Sequence, residues 1–128
     1  MGLHNKRESC LKDYKQLAVW RKAHLLTLAV YKATTNFPKD ELYGLTSQTR
    51  RAASSIPANL AEGCGRDGDP ELARFSVIAM GSASELEYHL LLAHDLNFLD
   101  DSTYNNLNND LNEVRRMLNV FIQRLKKS

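Results

Sequence analysis

The chain has 128 residues, of which 43% are hydrophobic and 25% charged, and its formal net charge is only +2. A chain of this length forms one domain and buries a core without metal or disulfide staples. No apolar run approaches the ~20 residues that a membrane-spanning helix needs, and the N-terminal segment lacks the apolar core of a secretory signal. Because Cys10 and Cys64 form no metal-binding or redox motif, both are predicted to be reduced thiols of a cytoplasmic protein that contacts no membrane.

Four helices are predicted, after a flexible N-terminus over residues 1–13. The first helix covers residues 14–35 and ends before Phe37 and Pro38, because the residue preceding a proline is pushed out of the helical region. Its apolar stripe contains Leu17, Trp20, His24, Leu28 and Tyr31. Leu26, Val30 and Ala33 widen this stripe. One side of the helix is therefore predicted to face the bundle and the other a neighbouring subunit.

The second and third helices are separated by a glycine-rich break. The second begins near Gly44 or Leu45 and ends at Gly63, which is predicted to be its C-cap glycine. The third opens at Asp69, the predicted N-cap, with Pro70 as its first helical residue. It continues to about residue 97.

The fourth helix is capped by Asp100 or Asp101 and continues to about residue 126. Its apolar residues alternate in steps of four and three, which is the a/d pattern of a bundle helix. They are Leu107, Leu111, Val114, Leu118, Phe121 and Leu125. Four helices, short loops and no β pattern predict an all-α fold, namely an up-down-up-down four-helix bundle over residues 14–128.

Pro57 lies inside the most patterned stretch of the chain, residues 42–66 on the second helix. A proline has no N–H, so the carbonyl of Ala53 loses its usual helical partner. The hydroxyls of Ser54 and Ser55 are predicted to serve the freed groups at a kink. A polar row runs alongside at helical spacing, and its mostly small side chains indicate contact with another surface. The row contains Gln48, Arg51, Ser55, Asn59 and Glu62.

Small residues at the middle of the third helix, residues 81–84, lower its helix propensity but let another backbone approach closely. Residues 52–55 of the second helix are a complementary small set, so the two helices are predicted to pack tightly there. Arg51 is expected to pair with Glu85 or Glu87. The residues predicted to serve structure or assembly are Arg51, Ala52, Ser55, Pro57, Asn59, Glu62, Gly81, Ser82, Glu85 and Glu87.

The sequence contains no recognisable catalytic or metal-binding motif. Di-iron four-helix bundles place a histidine three residues after a glutamate. Here Glu85 is followed at that distance by Tyr88, and Glu87 is followed by Leu90. Glu85 and His89 are one helical turn apart, although a second such pair is missing. We therefore predict no enzymatic activity, no catalytic residue, no metal and no cofactor.

Charge is distributed unevenly along the chain. Residues 1–32 carry +5 and residues 102–128 carry +3, whereas residues 67–101 carry −7 and residues 33–66 carry +1. A repeated basic patch would bind phosphates by counterion release, with little dependence on base sequence. The predicted phosphate contacts are Arg50, Arg66, Arg115, Arg116, Arg124, Lys126 and Lys127. The same charges can instead bring opposite signs together between subunits.

Several segments together resemble a known family. Residues 43–48 read YGLTSQ, residues 50–53 read RRAA, residues 55–57 read SIP and residues 81–88 read GSASELEY. With matching positions in three further segments (residues 17–34, 74–79 and 90–96), they resemble the four-helix-bundle family named after proteins encoded in intervening sequences of bacterial 23S ribosomal RNA genes. The resemblance covers roughly residues 17–125.

This resemblance implies a four-helix fold and a ring-shaped homo-oligomer, typically a pentamer. Relatives of the family include the accessory proteins of diversity-generating retroelements, which bind nucleic acid and a reverse transcriptase. We therefore predict a non-enzymatic adaptor whose partners are RNA or DNA and a reverse transcriptase or another protein. The alternative is a protein-protein scaffold whose charges serve assembly.

Overall fold

The structure, a computed structural model, describes residues 13–127. Its four α-helices are α1 (Ala18–Thr34), α2 (Ser47–Cys64), α3 (Asp69–Asp95) and α4 (Asp101–Lys127), and these residues form no strand. Each helix packs against the next along the chain, and α1 packs against α4. This arrangement is that of a four-helix bundle with short connections. The predicted all-α class and the number of helices are therefore confirmed.

The first helix begins at Ala18 rather than near Tyr14. A separate 3₁₀ turn covers Tyr14–Gln16, and Leu17 after it is extended, with φ −74° and ψ 125°. The carboxylate of Asp13 accepts a hydrogen bond of 2.9 Å from the N–H of Lys15, and local bonds of this kind hold a turn apart from a helix. Residues 1–12, which include Cys10 and nearly all of the predicted N-terminal segment, lie outside the described residues.

The stripe that α1 turns towards the core overlaps the predicted one only in part. Val19, Ala23, Leu26 and Val30 are buried, whereas Leu28 of the predicted stripe is 53% exposed. The prediction is therefore right for Leu26 and Val30 and wrong for Leu28, because both faces of this helix are apolar. Helical periodicity alone cannot choose between two such faces.

The carbonyl that Pro57 leaves free is bonded by α1, not by the serines beside it. The Ala53 oxygen lies 3.1 Å from the Thr27 hydroxyl, and this hydroxyl is also 2.9 Å from the Ala23 oxygen. A threonine has one hydroxyl proton, so the two carbonyls share it. The α2 helix continues from Ser47 to Cys64 through Pro57.

The connection between α2 and α3 is built on glycines, but not in the predicted roles. Gly63 lies inside α2, where a Cβ would stand 2.9 Å from atoms of both Leu72 and Phe75. It therefore permits the close approach of α3, and the α2 C-cap is Gly65. The predicted N-cap Asp69 is the first residue of α3, and Gly68, with φ 91°, precedes it as the cap. That φ favours glycine because other residues are strained there.

Asp100 caps the start of α4, which settles the choice between the two predicted caps. Its carboxylate accepts a hydrogen bond of 2.7 Å from the N–H of Thr103. That hydrogen bond holds the pKa of the Asp100 carboxyl below its usual range. Along α4 the predicted seam is buried at Leu107, Leu111, Val114 and Leu118.

Cys64 is buried at the end of α2. The sequence predicts a reduced thiol there, but in the structure Cys64 is disulfide-bonded. A pattern of cysteine spacing reports motifs and not spatial neighbours, so it could not have revealed this bond. Across residues 13–127, no helix is long and apolar enough to cross a membrane.

Candidate functional site

Several of the basic residues predicted to contact phosphates are paired with acids. Arg115 reaches from α4 to Glu87 of α3, with 3.0 Å between guanidinium nitrogen and carboxylate oxygen. Arg116 pairs with Glu113 one turn earlier on the same helix. Arg66 pairs with Glu62 at 2.8 Å. Since each of these guanidinium groups already faces a carboxylate, its charge is less available to a phosphate.

Three of the remaining predicted residues, Arg124, Lys126 and Lys127, lie at one end of the bundle. The small cluster of Cys64 and Leu72 is surrounded by four partly buried side chains, those of Tyr14, Leu17, Phe121 and Leu125. This packing brings the N-terminal turn beside the last turns of α4. The exposed basic residues at this end are Lys15, Arg21, Arg124, Lys126 and Lys127, and we call them the basic end. Lys15 and Arg21 were missed at the sequence level, because only the fold brings them to the C-terminus of α4.

A groove of about 490 Å³ lies beside the basic end, between the start of α1 and the last turns of α4. Leu17, Met117 and Val120 contribute its apolar lining, and Arg116 and Arg124 contribute its charge. The guanidinium group of Arg21 is turned away from a ligand role, since it donates to the carbonyl oxygens of Lys15 and Gln16. The groove therefore combines an apolar floor with two cationic side chains.

Arg50 lies away from the basic end, against the last turn of α1. Its Nε donates to the hydroxyl of Thr34 at 2.8 Å, and its guanidinium carbon lies 4.9 Å from the centre of the Tyr31 ring. The neighbouring Arg51 is exposed. The expected pairing of Arg51 with Glu85 or Glu87 is not formed, because Glu87 pairs with Arg115.

The predicted assembly residues on α2 occupy two kinds of environment. Ala52 and Pro57 are buried, whereas Ser55 and Asn59 bond to each other at the surface of the helix. The Asn59 amide donates to the Ser55 carbonyl at 2.8 Å and lies 3.2 Å from the Ser55 hydroxyl. Glu62 is exposed and pairs with Arg66.

Gly81 is not part of the contact between α2 and α3. A Cβ at Gly81 would meet nothing within 4 Å, and the residue is exposed. On either side of Gly81, Ala79 and Ala83 are fully buried, and Ser82 between them is half-buried. Gly81 therefore leaves an open notch on the outer side of the bundle.

Two outward faces of the bundle are apolar. Leu25, Leu28 and Tyr31 form the α1 face, and Leu28 is 53% exposed. Val77, Ile78, Tyr88 and Leu91 form the α3 face around the Gly81 notch, and Tyr88 is 59% exposed. Helix α1 carries three bases and no acid (+3), whereas α3 carries five acids and one base (−4). Several large apolar side chains therefore remain exposed on each of these two helices.

The histidines of α3 form no cluster that could bind a metal. His89 is buried, and its Nε2 lies 3.7 Å from a Glu85 carboxylate oxygen, which is too long for a normal hydrogen bond. His94 lies 2.6 Å from Asp101 across the α3–α4 loop. Within residues 13–127, no three His, Cys, Asp or Glu residues are placed to hold a metal ion.

Comparison with known proteins gives a family match and a similar solved structure. The family model of the 23S rRNA-intervening sequence protein matches residues 15–120. A protein of unknown function from the S23 ribosomal protein family of Bacteroides thetaiotaomicron has a similar structure, with a TM-score of 0.76 and 23% sequence identity. The similarity covers 82% of this chain and 95% of that one and, at this identity, it supports the fold alone. Among curated proteins, none matches the chain.

Proposed function

This chain belongs to the 23S rRNA-intervening sequence protein family, and we propose that it is a non-enzymatic subunit of a ring-shaped homo-oligomer that binds RNA or DNA. The observation that carries the proposal is the pair of exposed apolar faces on α1 and α3. One bundle of four helices needs only its inward faces to form a core. The outward faces are therefore available for contact with other copies of the chain.

The two helices carry opposite charges, and the α3 face leaves open space at Gly81. Leu25 and Leu28 protrude from the α1 face, while the α3 face has a notch at Gly81. Helix α1 is positive and α3 is negative, so apposing them brings opposite charges together. In our proposal the α1 face of one copy packs on the α3 face of the next.

A contact between two different faces has a consequence for symmetry. Such head-to-tail contacts do not pair off into a closed dimer, and they form a ring when the rotation closes or a filament when it does not. The resemblance stated above implies a ring of five subunits. Sedimentation equilibrium at micromolar concentration tests this step, because a ring requires a mass several times 14.5 kDa. A monomer would contradict it.

Nucleic-acid binding is the second step of the proposal, and the basic end supports it. Lys126 and Lys127 are exposed, and neither has an acidic partner in the part of the chain that the structure describes. In a ring this end is repeated by symmetry, so several phosphates are neutralised at once, and affinity falls steeply with salt. A titration of mixed-sequence RNA and DNA at several salt concentrations tests this step.

The alternative is a protein-protein scaffold, and the ion pairs favour it. Arg66, Arg115 and Arg116 already face carboxylates, which reduces the charge available to phosphates. In that case the partner is a protein such as a reverse transcriptase, and the amphipathic groove beside the basic end is the surface available to it. An intact oligomer that binds neither RNA nor DNA at low salt would favour the scaffold.

A further inference from the structure

A cleft of about 390 Å³ lies where the end of α1 meets the start of α2. We propose that it binds a small organic anion, through the guanidinium group of Arg50 and the hydroxyl of Thr46. The volume falls within the usual range of small-molecule sites. This proposal depends neither on nucleic-acid binding nor on assembly, because the residues that carry it line one cleft of one chain.

Contacts with α1 fix the position of the Arg50 side chain, while part of its guanidinium group remains free to donate hydrogen bonds. Its Nε donates to the Thr34 hydroxyl at 2.8 Å, its Nη2 lies 3.4 Å from the Tyr31 carbonyl oxygen, and its guanidinium carbon lies 4.9 Å from the centre of the Tyr31 ring. An arginine has five N–H donors in a fixed fork. The donors left over have no acceptor within residues 13–127, and such a fork suits a carboxylate or a phosphate.

Thr46 provides the second, independent observation. It lines the same cleft as Arg50 and is only 4% exposed. Its hydroxyl has no hydrogen-bond partner among the described residues. Buried polar groups are nearly always bonded, and one left unpaired lowers stability. A ligand in the cleft would give this hydroxyl the acceptor that the protein does not supply.

The backbone at this point is also unusual. Residues Leu42–Thr46 form the turn just before α2, and the helical winding is interrupted there at Gly44, whose φ of −114° and ψ of −114° are not helical. Thr46 is the last residue of the turn, and Leu42, the first, also lines the cleft.

The charge and lining of the cleft define the class of ligand. Its cations are Arg50 and Lys39, and no carboxylate lines it. Glu41, which caps the turn before α2, is already engaged, since its carboxylate accepts from the N–H of Leu45 at 3.0 Å. Phe37, Pro38 and Leu42 form the apolar wall. A molecule with one oxyanion group and a small apolar body matches this arrangement.

Calorimetric titration of the full-length protein with phenyl phosphate and with benzoate tests the proposal. These probes carry the two common oxyanion groups on the same ring, and the stronger binder identifies the group that the cleft prefers. Phenol is the neutral control and should not bind. Absence of binding by both anions at millimolar concentration would overturn the proposal, and so would phenol binding as tightly as the better anion.

Substitutions locate the site. Thr46→Val keeps the shape of the side chain, so it should melt at the same temperature or higher while losing about tenfold in affinity. Arg50→Lys keeps the charge but loses the fork, and it should weaken binding to a similar extent, again about tenfold. Arg51→Lys is the matched control, because the exposed Arg51 does not line the cleft, and its affinity should be unchanged.

Two outcomes of the substitutions contradict the site. Equal losses in Arg50→Lys and Arg51→Lys would show that only general charge matters. A Thr46→Val protein that binds like the wild type, or that melts at a lower temperature, would show that the hydroxyl serves no ligand or already has a structural partner.

Discussion

The hydroxyl of Thr27 on α1 lies 3.1 Å from the carbonyl oxygen of Ala53 on α2, the one carbonyl that Pro57 deprives of a helical N–H. An unpaired buried carbonyl is costly. The neighbouring helix therefore supplies the donor that the proline removes, and the proline in turn ties α2 to α1. Both Thr27 and Ala53 are buried, so water does not readily replace this bond.

Thr27→Val should lower the free energy of unfolding by about 1–3 kcal/mol, because it leaves a buried acceptor unsatisfied. In a Pro57→Ala background the same change should cost clearly less, since the alanine N–H can then bond Ala53. Urea unfolding of the four proteins of this cycle measures the coupling. Thr35→Val, which removes an exposed hydroxyl bonded within its own helix end, is the control. A cost for Thr27→Val that is the same in both backgrounds would contradict the coupling.

Gly81→Leu should dissociate the oligomer without unfolding the subunit. A side chain at Gly81 meets no atom of its own chain within 4 Å, and leucine raises helix propensity by roughly 0.8 kcal/mol or more over glycine. The new side chain would, however, fill the notch of the α3 face. Light scattering should therefore report a smaller assembly with unchanged helical circular dichroism. Asn105→Leu, at an exposed position of α4, should leave the mass unchanged, and loss of assembly in both variants would point to a nonspecific effect.

Lys126→Ala combined with Lys127→Ala should weaken nucleic-acid binding more than Arg115→Ala combined with Arg116→Ala. Both pairs remove two positive charges, but the arginines are paired with Glu87 and Glu113. The lysine variant should also have a shallower slope in the plot of log affinity against log salt concentration. The magnitude of the slope should fall by roughly two for each subunit that contacts phosphate. A gel shift at several salt concentrations measures both effects. Equal losses in the two variants would argue against the basic end as the binding surface.

Asp100 should make stability depend on pH in the acid range. Its hydrogen bond from Thr103 lowers the pKa of the folded carboxyl below the ordinary value of 3.8. A lowered pKa stabilises the folded state fully above the ordinary value, and this stabilisation is lost as the pH falls through the lowered pKa. Asp100→Asn should therefore melt with a weaker dependence on pH below about pH 4. Asp110→Asn, at an exposed position of the same helix, should keep the wild-type profile.

The predictability of each helix from sequence depended on how many of its faces are apolar. Helix α4 has one such face, and the predicted seam at Leu107, Leu111, Val114 and Leu118 is buried. In the last turns of α4, Ile122 is buried while Phe121 of the predicted seam is only partly buried. This shift is expected, because a strict seven-residue repeat does not match the 3.6 residues per turn of a straight helix. Helix α1 has two apolar faces, and the pattern could not identify the inward one.

The candidate surfaces were less predictable, because they depend on pairing in space. The sequence shows that Arg115 and Arg116 are basic, but not that Glu87 of another helix faces Arg115. The small residues next to Gly81 in the sequence predict that it lies in a tight contact between α2 and α3. In the structure Gly81 lies on the outer side of α3, away from that contact. No pattern in the sequence singles out Thr46, since an unpaired hydroxyl can be recognised only when its surroundings are known.

The close approach at Gly63 also bears on how quickly the chain folds. Gly63 meets Leu72 and Phe75, which lie only nine and twelve residues further along the chain. Contacts this local close a small loop and lose little chain entropy, so the corner between α2 and α3 is suited to form before the contacts of α1 with α4. Gly63→Ala should then act mainly on the refolding rate and little on the unfolding rate. The two arms of a urea chevron separate these cases, and a change confined to the unfolding arm would mean that this corner closes late.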